Sequence, residues 1–484
     1  MKIKVRTYLS WFGILFLLSL GVEAQTTPAA GYSVGTPPPT PNVIQQLSAG
    51  QTPLAGSRPA PLQPGTVSLS LLDAIDRGLK YNLGIILSEQ GNRSASAARL
   101  RALSEMLPHI NARVAESVQQ INLAAYGIPI APGTPSIIGP FSIFDSRALL
   151  NETLGFNSLY KERAASENVR AARYSYQNTR DLIVLVVGSS YLQALADASR
   201  VAAVTAEVQT AQALYDQAVN LKNAGMTAGI DVMRAQVELQ AQQQRLLVAQ
   251  NDYDKQLLSL ARTIGVPMGQ DFKLADTMPN SAPVPITFDE ALKRAYEKRS
   301  DYHQLQAQLR AAELSVKAAK AERYPELGVN GDYGVLGKTP GNSHGTFTAA
   351  TGVTIPIFEG RKIDADVLQA ETVLQQRQAE LDDLRQRIEY EVRTAFLDVN
   401  AATAQLKVAT SALAVAREQV SQSRDRFAAG VTNTVEVVQA QEQRATAEEN
   451  YIDSLYAHNV AKLNLARALG VAEEATKRFL GGQH

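Results

Sequence analysis

Three stretches of this 484-residue chain hold residue types that could do chemistry. GNSHG at residues 341 to 345 fits the G-x-S-x-G nucleophile elbow, in which a sharp strand-to-helix turn exposes a serine for acyl transfer. Here Pro340 comes before it and the β-prone FTAATGV after it, so Ser343 reads as part of a hairpin loop. GVLGKT at 334 to 339 is laid out like a phosphate-binding loop, but Asp332 stands where the first glycine is required and no helix follows. His109, His303, His344, His458 and His484 lack metal-ligand spacing, and no catalytic or cofactor-binding set emerges. What remains are two acids placed just beyond glycines, Asp231 after Gly225 and Glu436 after Gly430. Their chemistry is electrostatic: each fits a first-turn acid at a helix N-terminus.

The stretches that position these acids are copies of one another. AGMTAGIDVMRAQVELQ around Gly225 runs on to LARTIGV at 260 to 266, and AGVTNTVEVVQAQEQ around Gly430 runs on to LARALGV at 465 to 471. A shift of 205 superposes them without a gap and places Asp231 on Glu436 and Gly265 on Gly470. Upstream, VSLSLLDAI at 67 to 75 matches VPITFDEAL at 284 to 292 with a shift of 217. Self-similarity on this scale dictates architecture. The chain is expected to consist of a first repeat over 67 to 283 and a second over 284 to 484.

Lysine plus arginine equals aspartate plus glutamate at 47 each, which gives nucleic acid no basic surface to bind. Lys2, Lys4 and Arg6, an apolar run at 8 to 21 and Val22-Glu23-Ala24 form a secretory signal peptide over 1 to 24. The chain has no cysteine, hence no disulfide and no acceptor for a bacterial lipid anchor. Later apolar runs such as LIVLVV at 182 to 187 are too short to span a bilayer as helices, so membrane insertion must use strands. Residues 25 to 66, with TPPPTP at 36 to 41, read as an extended segment with no fold of its own.

From 69 to 106 the apolar residues recur at helical spacing, and Pro108 ends the run. Residues 110 to 121 then alternate, with Ile110, Ala112, Val114 and Val118 on one face, interrupted by Glu116. A proline- and glycine-rich loop leads to a second strand at 141 to 150. The second copy repeats the plan with strands at about 327 to 336 and 346 to 355 joined by a shorter loop. Residues 141 to 266 and 357 to 484 contain no proline, and Ala165, Val169, Ala172, Tyr176, Thr179 and Ile183 alternate steps of four and three, the signature of a coiled-coil seam.

Lengths constrain the arrangement. A helix over 157 to 222 spans roughly 100 Å, whereas those over 230 to 264 and 288 to 323 are each about half as long. Two half-length helices stacked end to end therefore match one long one, and the second copy repeats this with 362 to 428, 435 to 469 and the helix at 69 to 106. Four strands with one greasy face cannot close a barrel, and an open edge is not tolerated in lipid. Two copies would supply eight strands with a filled interior; three would supply twelve and leave room for a channel.

The doubled unit, the strand hairpins, the tips AGMTAGIDV and AGVTNTVEVVQA and the endings LARTIGV and LARALGV resemble the TolC family of outer-membrane efflux proteins over essentially the whole mature chain. The resemblance implies a mostly α fold with a β-barrel part: a homotrimer forming a twelve-stranded outer-membrane barrel and a long periplasmic α-barrel. It further implies a passive exit duct of a tripartite efflux or type I secretion system, docked to a periplasmic adaptor and powered by an inner-membrane pump. Adaptor hairpins would pack on Gly225, Met226, Gly430 and Val431. The family closes its periplasmic aperture through a tyrosine, an arginine and two aspartates of the second tip. Those positions here hold Phe427, Thr432, Glu436 and Gln439, so the usual charge-assisted lock to Asp231 is not expected. A ring of three Glu436 carboxylates would then narrow the mouth and favour cations. Asn82 is followed by Leu83 where the family has proline. Two other readings stand beside this one, an exported esterase using Ser343 and a coiled-coil surface protein without a pore.

Overall fold

The computed structural model describes residues 54, 56–62, 64–127, 133, 135–281, 286–429, 431–432 and 434–479. The signal peptide at 1 to 24, most of the proline-rich segment and Gly430 lie outside the described residues. In chain order the elements are β1 (Val67–Leu69), α1 (Leu71–Tyr81), α2 (Leu83–Ser104), β2 (His109–Asn122), β3 (Ile137–Leu154), α3 (Phe156–Asn223), α4 (Gly229–Ile264), β4 (Phe272–Leu274), α5 (Phe288–Lys298), α6 (Ser300–Ala321), β5 (Glu326–Gly337), β6 (Ser343–Thr354), α7 (Lys362–Ala428), α8 (Thr434–Ala468) and α9 (Ala472–Phe479). The strands pair antiparallel in the order β2-β3-β5-β6. β3 is longer than its 141 to 150 expectation because Ile137 and Ile138 extend the pairing to Asn122 and Ile121.

Along α3 the half-length helices stack as their lengths require. α3 packs along α6 and α2 over one half and along α4 and α8 over the other, while α7 packs along α8 and α6. α2 lies on α3 and does not pack along α7, the partner its length suggested. Within one protomer α7 borders the array, so that flank is open.

Each of two expected helices is broken once, and the breaks coincide under the shift of 217. Asn82 separates α1 from α2 with φ −64° and ψ 136°. Arg299 separates α5 from α6 with φ −65° and ψ 119°. Asn82 breaks the helix without a following proline because its side chain is committed elsewhere. Its Oδ1 accepts from the Gly84 amide at 2.8 Å, and its Nδ2 donates to the carbonyls of Leu54 at 2.8 Å and Thr263 at 3.1 Å. Arg299, 2% exposed, achieves the same end through charge: Nε and Nη2 donate to Asp301 at 3.0 and 2.6 Å, and Nη1 donates to Glu391 at 2.6 Å.

These breaks explain the glycines of the LARTIGV and LARALGV endings. Gly265 and Gly470 cap α4 and α8 at φ +74° and +70°, the left-handed region that glycine enters without strain. Each also lies against a break. A Cβ on Gly265 would fall 2.6 Å from the Tyr81 Cβ, and one on Gly470 2.7 Å from the Arg299 backbone nitrogen. The glycine is needed twice over, for its torsion and for its missing side chain.

The core sits at mid-height of α3, where Ile183, Val184, Val187, Tyr191 and Leu192 are fully buried. This stretch of α3 is apolar enough by composition to cross a bilayer, contrary to the sequence expectation, but most of it is covered by the neighbouring elements. β1 and β4, a parallel pair of three residues each that no local pattern announces, close over it. Tyr191 donates its hydroxyl to the Leu69 carbonyl at 2.8 Å and to Asp276 at 3.0 Å, tying the link between repeats to α3. The segment before β1 is not free of structure either. Leu54 is buried in this core, and the Arg58 and Ala60 amides donate to the carbonyls of Tyr81 and Gly265.

Candidate functional site

Two regions concentrate the polar chemistry: the paired hairpin tips and the face of the sheet that turns away from its apolar side. At the first tip Gly225 takes φ +72°, and a Cβ there would have nothing within 4 Å, so torsion alone requires glycine. The Met226 amide donates back to the Leu221 carbonyl at 2.9 Å, and at the second tip the Val431 amide donates to the Arg426 carbonyl at the same distance. These closures satisfy the last carbonyls of α3 and α7. Met226 and Val431, equivalent under the shift of 205, are 75% and 69% exposed.

The two acids occupy matching first-turn positions and hold matching threonines. The Thr227 hydroxyl donates to Asp231 at 2.9 Å, and the Thr432 hydroxyl donates to Glu436. Their cationic partners come from different places. Asp231 pairs with Arg234, one turn on in α4, at 3.4 Å, whereas Glu436 pairs with Arg426 of the outgoing helix α7, also at 3.4 Å. Gln439 takes the place of Arg234 in the second copy and is exposed; Phe427 is half-buried. The tip residues named from sequence are thus brought together within each hairpin, Gly430 apart, which is not described. Arg426 escapes the mapping, which takes only Phe427 from the outgoing helix and looks for the family's arginine after the glycine, because an antiparallel hairpin also brings the other residues of α7 alongside α8.

Halfway up the tip half, the seam between the hairpins is polar. Glu207 and Thr210 of α3, Glu238 and Gln242 of α4, and Gln441 and Arg444 of α8 line a small cavity there. Burial pushes the Glu207 carboxyl above its usual range, against the pull of Arg444. Within each hairpin the seam is instead small and apolar, with Ala211, Leu214, Ala218 and Ala235 in the first and Leu413, Ala416 and Ala447 in the second.

On the sheet, one face carries Ile110, Val114, Val118, Tyr333, Phe347 and Val353, between 63% and 77% exposed. Such a large uncovered apolar face belongs against lipid. Glu116 shares that face opposite Phe144, and nothing in the structure explains it. The other face carries Arg113, Asp145, Arg147, Asp332, Asn330 and threonines of β6. Ser343, the elbow candidate, begins β6 and donates its hydroxyl to the Thr339 carbonyl at 2.7 Å. It is followed by a strand, not the helix an elbow requires.

A lipid-facing sheet carried on a helical stalk about 100 Å long defines a membrane duct that reaches far out of the bilayer. The chain belongs to the outer membrane efflux protein family, whose model matches residues 158–266 and 291–471. It is 23% identical to the pyoverdine export outer membrane protein OpmQ of Pseudomonas aeruginosa, covering 80% of this chain and 82% of that protein. It is 21% identical to the outer membrane protein TolC of Escherichia coli, covering 68% and 70%. The Campylobacter jejuni CmeC outer membrane channel shares the fold with a TM-score of 0.72 at 16% identity, over 83% of this chain and 86% of that one. Family membership places the chain in the outer membrane as the channel of a tripartite efflux or secretion system; neither the esterase nor the pore-free reading has support among these relatives.

Proposed function

We propose that three copies of this chain close into one passive tunnel, a twelve-stranded barrel in the outer membrane continuous with a periplasmic helical barrel, through which an inner-membrane pump drives export. The observation that carries this reading is the four-stranded sheet, whose outer strands β2 and β6 each keep one edge unpaired within the protomer. Unpaired backbone groups cost several kcal/mol each in hydrocarbon, so the edges must meet other copies, and twelve strands are the smaller closure that leaves a lumen. The open flank of α7 supports the same assembly. Tyr390, Leu397, Val408 and Val415 are 65% to 70% exposed there, and Val237 and Leu247 of α4 are 65% and 68% exposed. Such apolar stripes on antiparallel helices fit one another across a subunit boundary. With no cysteine in the chain, anchoring rests on the sheet and not on an acyl chain. Light scattering of the detergent-solubilised protein is expected to give a trimer that conducts in planar bilayers; a conducting monomer or dimer would sink the proposal.

In this assembly the tips form the periplasmic mouth. Gly225, Met226, Gly430 and Val431 present the surface on which an adaptor packs. Asp231, Phe427, Thr432, Glu436 and Gln439 line the aperture. Three Glu436 carboxylates favour cations there, but each is held by Arg426 of its own hairpin, so Arg426 sets how much of that preference is expressed.

A further inference from the structure

The polar face of the sheet holds a guanidinium with no direct partner among the described residues. Arg147 of β3 is taken up twice: its Nε lies 2.6 Å from Asp145 and its Nη1 3.0 Å from Asp332 of β5. Directly across the ladder, Arg147 pairs in register with Arg113 of β2, so the two guanidinium groups share a face. With both nearby acids engaged by Arg147, Arg113 is exposed and has no hydrogen-bond or ion-pair partner among the described residues. Glu326 shares the polar face, but it lies at the helix-proximal end of β5, far along the strand from Gly334, which pairs with Arg147.

Assembly does not change this. β2 is an edge strand, and in a closed barrel its free edge meets β6 of the next copy. β6, SHGTFTAATGVT, contains no acid, and the sequence from 123 to 136 contains none either. Whatever register the closure adopts, no carboxylate from either source reaches Arg113. A lone guanidinium is the side chain best suited to planar anions such as carboxylate, and it stays charged at every working pH.

We propose that Arg113 is an anion-selecting residue of the barrel lumen, a fixed positive charge presented to passing solutes beside an Arg147 silenced by Asp145 and Asp332. The inference rests on the tunnel reading, since it needs the polar face to enclose water. It sets a positive point in the barrel next to an Arg147, Asp145 and Asp332 group whose own net charge is −1.

The test is single-channel recording of the full-length protein in planar bilayers under a KCl gradient. One unit charge about 10 Å from the permeating ion changes the permeability ratio about twofold at moderate salt. Arg113→Gln is therefore expected to shift the K⁺/Cl⁻ permeability ratio about twofold toward K⁺, Arg113→Lys to leave it in place, and Asp332→Asn, which releases Arg147, to shift it toward Cl⁻. The shifts should grow at about 10 mM salt and vanish at about 1 M, as the screening length falls from about 30 to about 3 Å. Because the chain has no cysteine, Arg113→Cys supplies a single thiol; a water-soluble anionic thiol reagent should lower the current there and leave Val114→Cys, on the lipid face, unaffected. Conducting channels with an unchanged ratio in Arg113→Gln, shifts of one sign in both Arg113→Gln and Asp332→Asn, or a protected thiol at 113 would each overturn the proposal. Absence of any conductance in the unaltered protein would instead remove the tunnel reading, and this inference with it.

Discussion

The two helix breaks and the two tips differ in opposite ways. At the breaks, Asn82 and Arg299 share a backbone conformation and a packed glycine but no side-chain chemistry: one is held by neutral hydrogen bonds, the other by three bonds to carboxylates. At the tips, Asp231 and Glu436 share chemistry and a threonine partner but take their arginines from different helices. Where the helices are packed against a core, backbone geometry is what duplication kept and side chains found new ways to hold it. Where the hairpin ends in water, the acid position was kept and its partner moved.

The largest expected effect separates packed glycines from the free one. Gly265→Ala and Gly470→Ala combine a disfavoured torsion with a Cβ 2.6 to 2.7 Å from neighbouring atoms, and each should cost about 4 kcal/mol. Gly225→Ala meets nothing and should cost about 1 kcal/mol from torsion alone. Denaturant unfolding of the detergent-solubilised protein compares them; equal losses at all three would mean that packing at the breaks contributes nothing.

Next come the residues that make the breaks. Arg299→Ala removes a buried guanidinium and leaves the half-buried Asp301 without its bidentate partner, and should cost about 3 kcal/mol, moderated because Glu391 reaches solvent and Arg467 lies 4.0 Å from Asp301. Asn82→Ala loses neutral hydrogen bonds and should cost about 2 kcal/mol. If Asn82→Ala proved the more damaging, the charged break would not be the more dependent on its side chain.

A third difference is read by pH. Burial pushes the Asp181 carboxyl of α3 up to about 6, despite the pull of Arg467. Its folded value exceeds the unfolded one, so folding takes up a proton between about pH 4 and 6. The stability this gives is fully present below about 4 and lost as pH rises through 6. Asp181→Asn should therefore be more stable than the parent at pH 7, by about 2 kcal/mol, with the gap closing toward pH 4. In the second repeat, burial pushes Lys462 of α8 down to about 8 while its ammonium donates to the Ser281 carbonyl and hydroxyl at 3.0 Å. Lys462→Met should show the reverse trend, its gain over the parent shrinking as pH rises above 8. Parallel pH profiles for parent and variants would dismiss both.

The smallest effect is at the tips. Glu436→Gln should lower cation preference and Arg426→Gln raise it, each about twofold in permeability ratio at moderate salt. Equal, unshifted reversal potentials would remove the pair from the aperture.

Much of this architecture is legible in the amino-acid sequence. The shift of 205 matches Met226, Asp231 and Gly265 to residues in equivalent places, and periodicity sets the bounds of α3 and α7 to within one residue. The strands can be placed because alternation reports a sheet with one greasy face. What escapes are features made by distant chain segments: β1 with β4, Leu54 in the core, the breaks at Asn82 and Arg299, and Arg426 on Glu436. Helical spacing runs unbroken through Asn82, and nothing local announces that its side chain will be claimed by Leu54 and Thr263.

By itself, then, the sequence determined the duplication, the lengths of the helices, the lipid-facing sheet and the glycines that turn the chain, because each of these is a local or periodic property of residue type. The tertiary structure alone decided which charges meet across elements. Arg147 reaches Asp332 of a neighbouring strand while Arg113 reaches no acid, and Glu436 finds Arg426 across the hairpin although Asp231 has a partner at local helical spacing, because contacts between elements are set by whatever folding brings within about 4 Å.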